Sequence, residues 1–396
     1  MTTRQPHRVV IAGGGFGGLR TALRLAHRPE VAVTLISQTG NFSYYPQLYH
    51  AATGGVRAEA ALPLAGLLAG TGVELVEDTV AQLDPEEKVL TGLSGRHYGY
   101  DELVLGLGSV TNYFGIPGLE EFSFNIKTIE GAEAFKHHLH EQLMRGHKPE
   151  LHYVIVGGGP TGVELAGALG EYLRRIVRIH NVAAPKYHIE IVEAAPRLLP
   201  RSSETVAARV QRRLERLDVV VKTGAVVEAE TADTLRLKGE SITSHTVVWT
   251  AGVSNNPFFR NNVDEFTLAK SSKVEVDEHL EARPHVYVIG DNANTTYSGL
   301  AQTALADGAF VARDILAKVH HRPRPAYRPK LPVSVIPVGN GWAAVQWGKL
   351  ELFGYLGWVL RRLADLVGYH DLESWPRALG SWLQDGRRED NCPTCD

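Results

Sequence analysis

The apolar positions of the chain follow one pattern twice. Residues 8–12 read RVVIA, a short run without polar alternation, as expected of a parallel strand buried on both faces. It runs into Gly13, Gly14, Gly15, Phe16, Gly17 and Gly18. Apolar residues then recur at Leu19, Ala22, Leu23, Leu25 and Ala26, the period of a helix. The order returns downstream: the strand LHYVIV (151–156) leads into Gly157, Gly158, Gly159, Pro160, Thr161 and Gly162, followed by Val163, Leu165, Ala166, Ala168 and Leu169. A further buried strand reads VYVIGDN over 286–292 and closes on Gly290 and Asp291. The pattern predicts an α/β fold with two Rossmann-like dinucleotide-binding domains.

Each glycine of a G-x-G-x-x-G turn has a physical task. The first (Gly13, Gly157) permits the tight turn, the second (Gly15, Gly159) lets a pyrophosphate reach the backbone, and the third (Gly18, Gly162) lets helix and strand pack closely. The helix start then offers free N–H groups and the positive end of its dipole. Two complete units imply two dinucleotides, the arrangement of a flavin-linked pyridine nucleotide oxidoreductase. Phe16, Gly17, Ser37, Val80 and Ala301 complete the expected FAD contacts of the first unit, and Pro160 and Thr161 the NADH contacts of the second. The segment HIEIVEAAP puts Glu193 at the end of the second strand of its unit, where a carboxylate bonds ribose hydroxyls and repels a 2′-phosphate; this favours NADH, although Arg197 nearby weakens the exclusion. The equivalent point of the first unit carries Ser37, a weaker ribose partner. Asp291 is positioned for the ribityl chain of a flavin or, read plainly, is an ordinary strand-turn aspartate. The whole second unit separates the first from the Asp291 strand, so the FAD domain is expected to be discontinuous. The expected division is 1–115 and 252–330 for FAD, 116–251 for NADH, and 331–396 as a C-terminal region.

After the basic, proline-rich linker Arg322 to Lys330, strands are expected over 331–351 and an amphipathic helix over 352–367. Leu352, Leu356, Val359, Leu360, Leu363, Leu366 and Val367 share one face; Arg361, Arg362 and Asp365 share the other. Leu372, Trp375, Leu379, Trp382 and Leu383 continue the theme. The helix is too short to span a bilayer and suits its surface, a dimer interface or a core.

Composition narrows the class further. With 41 basic and 44 acidic residues and a formal charge of -3, nothing points to nucleic acid. The two cysteines, Cys392 and Cys395, exclude a disulfide-stapled fold and suggest the cytosolic side. Their CxxC reads as a tail without a catalytic role, a redox pair, or half of a zinc site shared by a dimer. No metal site is expected: His137, His138, His140 and His147, like Arg209, Arg212, Arg213 and Arg216, read as solvated helix faces.

The segments RVVIAGGGFGGLRTALRL, YYPQLYHAATG, LVLGLGSVTNYFGIPG, YVIVGGGPTGVELAGAL, VVWTAGVSNNP, VYVIGDNA and GLAQTALADGAFVARDI together resemble the type II NADH dehydrogenases, single-subunit NADH:quinone oxidoreductases, from about Arg8 to about Leu363. The resemblance implies FAD and NADH as cofactors, a quinone as acceptor, no proton pumping, a peripheral position on the cytoplasmic side of the cell membrane, and a homodimer. It places Glu164 beside nicotinamide and flavin as an orienting or proton-relay group, an alternative being dipole electrostatics in the first helical turn. Gln302 would reach flavin or acceptor from a helix whose expected inner side is Leu300, Ala304, Leu305 and Ala309. Tyr45, Pro46 and Tyr49 would line the quinone slot or simply cover the flavin. This chain departs from the family at Ser37, where an acid is usual, and at Ala306, where a second amide is usual. Sulfur chemistry is disfavoured, because no cysteine lies between Met1 and Asn391. The competing reading is an NADH-responsive sensor, or a reductase of a protein acceptor.

Overall fold

A computed structural model of the chain describes residues 5–144, 152–179, 181 and 187–384. His147, Cys392 and Cys395, singled out above, lie outside them. The chain opens with β1 (His7–Ala12), α1 (Phe16–Leu25), β2 (Val31–Ser37), β3 (Glu74–Glu77) and β4 (Glu102–Leu105). After β5 (Ser109–Thr111) come α2 (Ile129–Met144), β6 (His152–Val156), α3 (Pro160–Ile179), β7 (His188–Glu193), α4 (Glu204–Glu215), β8 (Val219–Thr223) and β9 (Thr246–Trp249). The chain returns through β10 (Val253–Asn255), β11 (Glu281–Arg283), β12 (Val286–Val288) and α5 (Ala301–Val319). It continues in β13 (Ser334–Pro337), β14 (Ala343–Trp347), β15 (Leu350–Gly354), α6 (Tyr355–His370) and α7 (Trp375–Gln384).

The first sheet has the order β11-β12-β4-β1-β2-β3, parallel except for β11. Late strand β12 therefore pairs with early strand β4, and the second unit lies between them in sequence. That unit is its own parallel sheet, β8-β7-β6-β9. Antiparallel β5 and β10 form the two-stranded neck where the chain leaves one sheet and returns. Both faces of each sheet are covered: Val9, Ile11, Leu19 and Val104 pack on one side of the first and Val10, Ala12, Leu103 and Val288 on the other. This explains the unbroken apolar runs in the sequence.

α5 packs along α1 where two glycines meet: a Cβ on Gly308 would sit 2.3 Å from the Gly17 carbonyl oxygen. The contact sets the rotation of α5. Its buried face includes Thr303, Ala304, Asp307, Gly308, Val311 and Asp314, and Leu305 packs partly buried against the same core, whereas Leu300 is exposed, so the expected inner side is corrected at Leu300. The 322–330 linker is a strap rather than a free connection: Arg324 pairs with Asp314 and Glu281, and the Tyr327 hydroxyl donates to Asp307. The expected solvated histidine face is also corrected. His140 is buried against the Tyr172 hydroxyl at 2.7 Å, and His138 bonds Thr246 Oγ1 at 2.8 Å, because α2 lies flat on the second unit.

Glu230, closing the strand Val227–Glu230, is buried, and no partner reaches its Oε2 among the described residues. Burial pushes its pKa up to about 8. It thus folds in its neutral form, and stability falls as pH rises from the ordinary value of 4.5 through about 8. Glu230→Gln should flatten that fall, raising Tm at pH 9 by more than at pH 6 in parallel melts. Equal shifts at both pH values would mean that the carboxyl is ionised in the fold.

Candidate functional site

The two glycine turns have the geometry their spacing predicts. Gly13 has φ 111° and Gly157 φ 116°, a region that side chains avoid. A Cβ on Gly18 would meet the Gly13 carbonyl oxygen at 1.9 Å, and one on Gly162 the Gly157 carbonyl oxygen at 1.9 Å. A Cβ on Gly15 or Gly159 would meet nothing within 4 Å. Glycine there leaves clear the side from which a pyrophosphate approaches. Gly15 caps α1 without a side-chain hydrogen bond, so no side chain blocks the helix N–H groups. The residues present therefore fit two dinucleotides.

Glu193 ends β7, and its carboxylate accepts from the N–H of Gly158 at 2.6 Å and of Ala195 at 2.7 Å. It braces the turn. Arg197 is turned into its own loop, donating to the carbonyls of Leu199, Pro200 and Ser202. Ser37 ends β2 buried beside the first turn, where a Cβ on Gly14 would lie 2.6 Å from its Oγ. Val80 begins a neighbouring strand and packs against the first sheet. Pro160 and Thr161 are the exposed first residues of α3.

Gly290 has φ 65°, and its N–H donates at 3.0 Å to Asp307, buried beneath it in α5. Burial raises Asp307 to about 6 against the pull of the Tyr327 hydroxyl and the Gly290 N–H. The turn thus hangs on a carboxyl that sequence reasoning missed, since an aspartate in a helical run carries no local signal. Asp291 accepts from Ser109 Oγ at 2.6 Å, and Ser109 accepts from Lys127 Nζ at 2.7 Å. Burial lowers Lys127 and Lys273, and the charge of Asp291 opposes this in both. Asp291 thus lies near two cations, one of them, Lys127, brought from a distant segment. Asn292 holds the facing loop, bonding both the N–H and the carbonyl of Gly108.

Tyr45 lies 6.4 Å from the Phe16 ring, and nearly half its surface is open. Protein crowding, then the charge of Asp291, raises its hydroxyl pKa. Tyr45, Phe16 and Asp291 therefore share one corner of the first unit. Tyr44, beside it, is buried and stacks on Tyr369 of α6 at 4.6 Å. Tyr49 packs instead against the core of the second unit. The Pro46 carbonyl accepts from Arg361 of α6 at 3.0 Å. Arg361 pairs with Asp365 one turn on, and both are buried.

Glu164 sits in the second turn of α3, one turn beyond the expected place. Burial raises its pKa to about 8, and the charge of Arg361 opposes the rise. Desolvation thus outweighs any help from the helix dipole. The Gln302 amide is engaged: Nε2 donates to the Val333 carbonyl at 2.9 Å and Oε1 accepts from the Val333 N–H at 3.0 Å. The side chain clamps the strand-side linker to the first turn of α5. That turn begins at Ala301, and a Cβ on Gly17 would meet Ala304 at 3.3 Å. The methyl of Ala306 lies one turn further along α5. Among the described residues, no group of three His, Cys, Asp or Glu could hold a metal ion.

The family described as pyridine nucleotide-disulphide oxidoreductase matches residues 7–308. A type II NADH:quinone oxidoreductase of Mycobacterium tuberculosis is 31% identical, the match covering 93% of this chain and 86% of that protein. The demethylphylloquinone reductase of Synechocystis is 30% identical over 97% of this chain and 99% of that protein. The solved structure of NDH2 from Plasmodium falciparum in complex with NADH superposes with a TM-score of 0.85 at 18% identity, covering 96% of this chain and 97% of that one.

Proposed function

Because the chain belongs to the pyridine nucleotide-disulphide oxidoreductases and, within them, to the type II NADH:quinone oxidoreductases, we propose that the turn at 157–162 receives NADH and the segment at 45–49 meets the quinone. The chain is an FAD-dependent enzyme that oxidises NADH, reduces a quinone and pumps no protons. Bound FAD supplies the two-electron exchange between the two substrates. Gly13, Gly15, Phe16, Gly17, Gly18, Ser37, Val80, Gly290, Asp291 and Ala301 hold FAD, and Gly157, Gly159, Pro160, Thr161, Gly162 and Glu193 hold NADH. The division is 1–115 and 252–330 for FAD, 116–251 for NADH, and 331–396 beyond them. Arg197, occupied by three carbonyls, has little left for a 2′-phosphate, which supports NADH over NADPH.

One observation carries the reading. Arg361 acts on Glu164, at the start of the NADH helix, and donates to Pro46 of the acceptor segment. Burial, opposed by Arg361, favours the protonated carboxyl of Glu164, which suits it to hold a proton between the two half-reactions. Gln302 orders the acceptor side through Val333 rather than through a free amide. Anaerobic stopped-flow mixing should show fast bleaching of the yellow protein by NADH and fast recovery with a short-chain quinone. Fast bleaching with slow recovery would reject quinone as the acceptor and favour the sensor or protein-acceptor reading.

We also propose a peripheral position on the cytoplasmic face of the membrane, with pairing of two copies through the same C-terminal elements. No helix among the described residues is long and apolar enough to cross a membrane. α6 carries its polar pair inward and its apolar side outward: Arg361 and Asp365 are 8% and 3% exposed, Leu356, Leu363 and Val367 are 56%, 49% and 53%. A helix docked on its own core would have the reverse arrangement. Trp375 and Leu383 extend the open apolar side along α7. Such a surface suits the interface of a bilayer, where the quinone is dissolved.

A further inference from the structure

Four arginines of α4 gather at one small cleft. Arg209, Arg212, Arg213 and Arg216 line it together with Trp342 and Phe353, around a volume of about 110 Å³. Arg209 lies 5.6 Å from the centre of the Phe353 ring, which stands 6.3 Å from Trp342. Arg213 is half-buried and donates to the carbonyls of Val338 and Asn340 at 3.1 and 3.2 Å. Arg209, Arg212 and Arg216 are exposed, and among the described residues none of the four has a carboxylate partner. Glu215, on the same helix, bonds Gln211 instead. Burial first, and then the neighbouring charge of Arg216, lowers the pKa of Arg213. In a chain whose net charge is -3, such a group stands out.

Size and position restrict what could neutralise it. The volume falls below the roughly 300 Å³ of the smallest ordinary ligand pockets, which suits one phosphate group rather than a whole nucleotide. Guanidinium forks match phosphate oxygens in pairs. The aromatic floor belongs to the three-stranded sheet that leads into α6. Phe353 is followed by Gly354 and then by Tyr355 and Leu356, both largely exposed at the start of α6, and Trp347 and Leu350 are exposed on the hairpin of the same sheet. The arginines and the exposed apolar residues thus flank one small sheet, so a charged headgroup and acyl chains could be met by neighbouring parts of the same C-terminal element.

We propose that this cleft binds the phosphate of an anionic phospholipid headgroup and so fixes the orientation of the enzyme on the membrane. The proposal rests on the membrane docking proposed above. The arginines add a charge-selective contact to a charge-blind one, and it weakens as salt rises.

The test is vesicle flotation of the full-length, FAD-loaded protein. One set of vesicles is pure phosphatidylcholine and the other contains phosphatidylglycerol. Wild type should prefer the anionic set. The variant R209Q/R212Q/R216Q should lose roughly a hundredfold of its affinity for anionic vesicles at low salt, about fivefold per arginine, and bind phosphatidylcholine as wild type does. A second variant, L356S/L363S, should lose affinity for both sets. Equal binding of wild type and the arginine variant to anionic vesicles would overturn the headgroup assignment while leaving docking intact. Failure of wild type to bind any vesicle would overturn docking, and the assignment with it. Binding of inorganic phosphate by wild type that is lost in the arginine variant, together with equal flotation of both proteins on anionic vesicles, would reassign the cleft to a free anion. FAD content and NADH bleaching should be unchanged in both variants.

Discussion

Gly162→Ala should leave a yellow protein that NADH reduces about a hundredfold more slowly at low NADH. The new methyl would lie 1.9 Å from the Gly157 carbonyl oxygen and 2.8 Å from Thr250 Oγ1. Neither can easily yield. Thr250 Oγ1 is tied to the carbonyls of Val156 and Gly157, and Gly157 already holds φ 116°. The helix must therefore move off the strand, and the N–H groups that face the pyrophosphate move with it. A hundredfold loss corresponds to about 3 kcal/mol, the size expected for backbone strain in a turn. FAD should stay bound, because the first turn has its own glycines on a separate sheet. Gly159→Ala separates fold from ligand, since its Cβ meets no protein atom within 4 Å. That variant should melt like wild type and still bind NADH weakly. Reduction at the wild-type rate in Gly159→Ala would show that the turn does not face the dinucleotide.

Glu164→Gln should lower steady-state turnover with quinone by about a hundredfold and change bleaching by NADH far less. With its pKa raised to about 8, Glu164 is mostly protonated at neutral pH and loses its proton as pH rises through about 8. Turnover of the wild type should accordingly fall on that alkaline limb. Glutamine imitates the neutral carboxyl in shape and cannot release a proton, so the variant should be slow at all pH values and lack the limb. Arg361 favours the ionised form, so Arg361→Gln should move the limb to higher pH. Because Arg361 also holds Asp365 and Pro46, the informative reading there is the position of the limb rather than the rate. Full turnover with an unchanged limb in Glu164→Gln would reduce Glu164 to a packing role.

What could be read without coordinates is local in the chain. A strand, a G-x-G-x-x-G turn and a helix are contiguous, and their strain and clashes arise within a few residues, so Gly13, Gly18, Gly157 and Gly162 announced both nucleotide turns. Glu193 was legible for the same reason, standing at a fixed place after its strand. The return strand 286–292 also betrayed the split sheet, because an uninterrupted apolar run must be buried on both faces. The C-terminal segment was legible as two faces, one apolar and one carrying Arg361 and Asp365.

Which face turned inward was decided only by the fold. Periodicity fixes how side chains are distributed around a helix and says nothing of what lies against either side. Here the Pro46 carbonyl, from a distant segment, and Asp365 supply partners for Arg361, so the polar side is buried and the leucines face out. The rotation of α5 was settled in the same way, by Gly308 against Gly17, which put Asp307 under Gly290 and left Leu300 exposed. Lys127 comes near Asp291, through Ser109, from a segment far from it in sequence, and Gln302 meets Val333 across a linker. Short-range sterics belong to the sequence, whereas the balance between burying a charge and pairing it depends on which distant segments the tertiary structure brings beside it.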